Sequence, residues 1–122
     1  MQIGPYLVEH DSEILNKDKS GKAQVWVAFA GSNPENLSVT MFIEHPQSRS
    51  FEEWTVSGKY SIDDASKLGK QAGVEYALDQ RQGSFTAFLR EDGRKGLKLY
   101  STFEKFFKGK AKKNDKKSKI NL

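Results

Sequence analysis

Residues 84–103 run Ser84-Phe85-Thr86-Ala87-Phe88-Leu89-Arg90-Glu91-Asp92-Gly93-Arg94-Lys95-Gly96-Leu97-Lys98-Leu99-Tyr100-Ser101-Thr102-Phe103, and the architecture turns on how they are taken. Phe85, Ala87 and Leu89 alternate with Thr86, Phe88 and Arg90. Leu97 and Leu99 alternate with Lys98 and Tyr100. Alternation of apolar and polar side chains marks a strand with one buried face. Between the two runs, Asp92-Gly93-Arg94-Lys95-Gly96 is rich in turn formers. The expectation is an antiparallel hairpin with strands near 84–90 and 97–103. Its odd-numbered side chains point inward, which turns Phe88, Arg90, Lys98 and Tyr100 to the other face.

The same period recurs upstream. Val25, Val27 and Phe29 alternate with Gln24, Trp26 and Ala28, and Leu37, Val39, Met41 and Ile43 with Ser38, Thr40 and Phe42. Strands are expected near 24–30, 37–44, 51–57 and 74–79, with an N-terminal one from Tyr6 to Leu15. Turn signals at Asp18-Lys19-Ser20-Gly21, Gly31-Ser32-Asn33-Pro34 and His45-Pro46-Gln47-Ser48 set hairpin spacing rather than helical crossovers. One segment departs from this period. Ser61-Ile62-Asp63-Asp64 has the form of a capping box, Ile62, Ala65, Leu68 and Ala72 follow at helical spacing, and Gly73 is placed to close a helix over 62–72. The fold class is therefore mainly β: a small antiparallel barrel or curved sheet with one short helix. The order of strands, one helix and a closing hairpin resembles the OB-fold, a five-stranded Greek-key barrel, and at the level of topology it resembles the single-strand binders built on it.

The 122 residues suit one domain. Of the 20 basic and 16 acidic side chains, eight lysines and Asp115 lie from Lys105 onward, so residues 1–104 carry 12 basic and 15 acidic groups. The basic character belongs to a tail, not to the body. The expected organisation is a β-rich domain over 1–107 and a disordered Lys-rich tail over 108–122, which lacks apolar periodicity. Cysteine is absent, which excludes disulfides, cysteine-ligated metals and a thiol nucleophile. The start Met1-Gln2-Ile3-Gly4-Pro5 carries no secretory pattern, and Val25 to Ala30 is too short to span a bilayer. A cytoplasmic protein without membrane partners is expected.

For chemistry, the chain offers His10, His45 beside Glu44, and the pairs Glu52-Glu53 and Asp63-Asp64. On a strand Glu52 and Glu53 point to opposite faces, and Asp63 and Asp64 sit in a first helical turn where the macrodipole favours them. The HExxH, GxSxG, Walker and GxGxxG patterns are missing. No enzyme, metal or cofactor is expected. Binding is better served. Phe88 and Tyr100 beside Arg90 and Lys98 combine rings for stacking with cations for phosphates, which is what a single strand of DNA or RNA requires. Trp26 and Phe42 share the outward parity but are expected to be core, covered on both sides, as is Trp54. In the tail, Lys108, Lys110, Lys112, Lys113, Lys116, Lys117 and Lys119 add attraction to phosphate without sequence choice. The expected function is a non-enzymatic accessory protein that binds nucleic acid, preferably single-stranded. The alternative is a small interaction module, an inhibitor or adaptor, presenting an acidic face made of Glu9, Asp11, Glu13, Glu52, Glu53, Asp63 and Asp64 to a protein partner. Exposed strand edges make a homodimer plausible.

Overall fold

In the computed structural model, residues 23–45 and 50–114 are described. Their elements, in chain order, are β1 (Gln24–Gly31), β2 (Leu37–His45), β3 (Ser50–Tyr60), α1 (Ile62–Ala72), β4 (Tyr76–Arg81), β5 (Ser84–Asp92), α2 (Gly93–Phe106) and β6 (Ala111–Lys113). The strands form a single six-stranded sheet in the order β4-β5-β1-β2-β3-β6. Every neighbouring pair is antiparallel. The sheet ends at β4 on one side and β6 on the other, so among the described residues it is an open sheet and not a closed barrel. The expected N-terminal strand over 6–15 lies outside the described residues. No helix among the described residues is long and apolar enough to cross a membrane.

The helix α1 lies against β5 and β4, α2 lies against β5 and β1, and the two helices pack on each other, on one side of the sheet. The side chains turned toward them come from one parity of each strand: Val25, Val27 and Phe29 of β1, Val39 and Met41 of β2, Trp54 and Val56 of β3, and Ala87 and Leu89 of β5, all buried. Fully burying a Val, Leu or Phe side chain contributes about 1.5–3 kcal/mol, so this alternation is what drives the sheet under the helices.

The helix α1 forms where its end signals place it. The Ser61 hydroxyl accepts from the Asp64 N–H at 3.2 Å, and the Ser61 N–H donates to the Asp64 carboxylate at 2.8 Å. That closes the capping box. Gly73 takes φ +73°, and the Val74 N–H returns to the Gly69 carbonyl at 2.9 Å. This is a Schellman-type end. Gly69 is required for close approach rather than for its own torsions: a Cβ there would stand 2.6 Å from the Val74 carbonyl oxygen.

The second half of the expected hairpin is corrected. Residues 97–103 are not a strand; they belong to α2, and the turn at Gly93 leads from strand to helix. Leu97 and Leu99 alternate for only four residues, too short a window to separate the two periods. Over a longer span Gly96, Leu99, Tyr100, Phe103 and Phe107 recur every three or four residues and are all buried, as a core-facing helical stripe requires. Lys, Leu and Arg supply ordinary helix propensity. Tyr100 is 1% exposed and meets Trp54 edge-on at 6.1 Å. Phe103 and Phe107 continue the stripe at 4.9 Å, and Tyr60 closes on Phe107 at 5.0 Å. Trp54 is core, as its sequence suggests.

The boundary at 107 moves too. Ala111–Lys113 pairs with Val56–Trp54 as β6, and the Asn114 N–H donates to the Glu53 carbonyl at 2.8 Å. The ordered domain therefore reaches Asn114. The pairing is made by backbone groups, to which a lysine-rich composition is indifferent. Residues 115–122 lie outside the described residues.

Candidate nucleic-acid interface

The opposite parity of the same strands builds a second face. Cross-strand registers set it out in rows. One row runs Ala77, Phe88, Ala28, Thr40, Thr55 and Lys112. The next runs Arg90, Trp26, Phe42 and Glu53. Among the described residues neither helix covers these rows, since both pack on the other side. Phe88 is 43% exposed and Trp26 36% exposed, while Phe42 is half-buried. Trp26 and Phe42 are thus not enclosed on both sides, which corrects the expectation that they are core.

Phe88 stands between Ala28 and Ala77, the two smallest side chains of its row. Trp26 is the diagonal neighbour of Phe88, since its direct partner on β5 is Arg90. Diagonal pairs remain within reach of aromatic side chains. The Arg90 guanidinium carbon lies 5.3 Å from the Trp26 ring centroid. That is a cation–π contact. A groove of about 420 Å³ opens here, lined by Trp26, Phe88 and Arg90 together with Glu75, Ala77 and Leu89.

The remaining expected residues are divided. Tyr100 is in the helix-side core and is no part of this face. Lys98 is exposed on α2, and its ammonium lies 3.5 Å from where a Gly73 Cβ would stand, beside the C-terminal end of α1. A cation there complements the helix dipole. Lys108 and Lys110 are exposed in the turn before β6. Lys112 sits on the same face as Phe88, four strand spacings away, which is roughly 19 Å. Lys113 points to the helix side, 3.9 Å from the buried Glu52 carboxylate. Lys116, Lys117 and Lys119 lie outside the described residues.

The acidic set does not form one face. Glu52 is buried and accepts from the Trp54 indole N–H at 3.1 Å. Glu53 lies across the sheet, where the Asn114 amide donates to it at 3.0 Å. Asp63 and Asp64 start α1, Asp63 in an exposed ion pair with Lys67. Glu9, Asp11 and Glu13 lie outside the described residues, as does the surround of His10.

Trp26 and Glu75 are the residues that strand reading passed over. Parity alone put Trp26 on the right side. Its nearness to Phe88 and Arg90 follows only from β1 pairing with β5, two strands far apart in sequence. One further group is unusual. Glu104 on α2 is 2% exposed, and among the described residues neither of its carboxylate oxygens has a hydrogen-bond partner. Burial raises its pKa to about 8.

No protein-family model, curated protein or solved structure matches this chain.

Proposed function

We propose that the protein is a non-enzymatic accessory protein that binds nucleic acid, single strands in preference to duplex. The observation that supports this reading is the exposed Trp26–Phe88 pair with Arg90 fixed over Trp26. Bases stack on exposed rings regardless of sequence, for about 1–3 kcal/mol each, and a nearby guanidinium meets phosphate or base. Duplex DNA hides its base faces and gains less from such a surface. By analogy, OB-type binders also use a sheet face, closed there and open here. A strand laid across the rows passes from Phe88 toward Lys112, and the lysines beyond it supply long-range attraction.

The test is anisotropy of a labelled oligo-dT with the full chain. Trp26→Ala and Phe88→Ala are each expected to weaken binding about tenfold, the middle of the stacking range, with the thermal melt unchanged. Truncation after Asn114, which leaves β6 in place, is expected to flatten the dependence of log affinity on log salt. Unchanged affinity in both ring variants overturns the reading.

A second reading has one observation in its favour. The bare face also carries Glu44, Glu53, Asp79 and Asp92 by register, against Arg81, Arg90 and Lys112. This mixed charge suits a basic protein surface. An interaction module of that kind would bind no oligonucleotide once the tail is removed.

A further inference from the structure

The groove beside Trp26 carries two opposite charges at its rim. Arg90 is held over the indole, and Glu75 lines the groove just ahead of β4. Among the described residues neither side chain is engaged in an ion pair. Trp26, Phe88 and Ala77 line it with the β5 strand at Leu89, and the volume of about 420 Å³ falls in the range of small-molecule clefts. A phosphate is a poor occupant, because Glu75 would repel it. A flat, neutral ring with donors on one side and acceptors on the other suits this lining and both charges.

We infer that this groove is a base slot selective for guanine, an inference that rests on the nucleic-acid reading above. Guanine presents acceptors at O6 and N7, which match the fork of an arginine. Next to them it presents the N1–H and N2–H₂ donors, which a carboxylate accepts in parallel. Thymine offers one donor flanked by two carbonyl oxygens, so Glu75 would face like charge. Adenine and cytosine each place one amino group beside an acceptor and satisfy the carboxylate once. Guanine is the base that uses Arg90 and Glu75 together.

The experiment uses the full chain and labelled oligo-dT carrying one central dG, dI, dA, dC or dT, read by anisotropy. Inosine lacks the N2 amino group and is otherwise the shape of guanosine. The dG oligomer is expected to bind about tenfold tighter than all-dT, the low end of what a well-made base contact discriminates, with dI in between. Glu75→Gln is expected to bring dG within about twofold of dI and to strengthen all-dT binding rather than weaken it, since an amide keeps one acceptor, loses the parallel pair and removes the charge that faces the thymine carbonyls. Equal binding of dG and dT by the native chain, or a preference that survives Glu75→Gln, overturns the slot while Trp26→Ala still weakens every oligomer. If the native chain binds none of the oligomers at low salt, the nucleic-acid reading falls, and the slot with it.

Discussion

The sheet has two faces made by the same strands, and they differ in what lies against them. On one, the side where α1 and α2 pack, Val27, Met41, Trp54 and Leu89 are excluded from water. On the other, Trp26 and Phe88 project between Ala28, Ala77 and Thr40, with none of the described residues over them. Both faces carry aromatic rings. Hydrophobicity alone therefore does not say which ring is structural. The covering does, and the covering comes from two helices packed over β4, β5 and β1. Large apolar rings left on an uncovered face are the exception that marks an interaction surface.

The sharpest way to break this division is to remove one ring from each side. Phe103 touches Phe107 at 4.9 Å and is fully buried. Phe103→Ala is expected to lose about 3–5 kcal/mol, the range for deleting a buried aromatic ring. Because a domain of this kind is stable by only about 5–15 kcal/mol, that loss is readily seen in a urea titration. Phe88→Ala on the bare face is expected to stay within about 0.5 kcal/mol of the native chain, as surface substitutions usually do. Comparable losses for the two variants would mean that the bare face is itself packed, and the separation of structural from binding rings would collapse.

The same contrast shows what was legible in the amino-acid order. The helix α1 announces both ends, with Ser61 and Asp64 at one and Gly73 at the other, and its bounds are as expected. The strands β1, β2 and β5 announce themselves by alternation, whereas β4 is exposed almost throughout and has none. The helix α2 was hidden because Leu97, Lys98, Leu99 and Tyr100 fit either period, and because Gly93 and Gly96 read as turn residues. Gly96 is there for contact: a Cβ would stand 3.2 Å from both the Glu91 carbonyl oxygen and a Val25 methyl. Such closeness between helix and sheet has no local signature. Nor has the pairing of β1 with β5, which brings Trp26 beside Arg90. Local patterns indicated which way Trp26 and Phe88 point, but only the long-range register indicates that they are neighbours. The same ambiguity of period sets Tyr100 outward on a strand, whereas on α2 it turns into the core.

The dry face has one flaw, and it sharpens the comparison further. Three glutamates sample three surroundings. Glu53 is on the bare face with an amide donor, Glu52 is buried but receives the Trp54 indole N–H, and Glu104 is buried with neither oxygen satisfied among the described residues. An ionised carboxylate in that position is opposed by desolvation, so Glu104 holds its proton up to about pH 8 in the folded chain, against 4.5 ordinarily. The sign follows from counting protons. Between those two values the folded state binds one proton more than the unfolded state, so stability falls as pH rises through that window and levels off above it. The slope reaches at most about 1.4 kcal/mol per pH unit for a single group. Between pH 5 and pH 7 the native chain is expected to lose about 2–3 kcal/mol relative to Glu104→Gln, which cannot ionise. Thermal melts of the two proteins at both pH values measure it, with the other titrating groups cancelling in the difference. A difference that does not change with pH would mean that the Glu104 carboxyl is ionised in the folded chain, and that this end of α2 admits water as the bare face does.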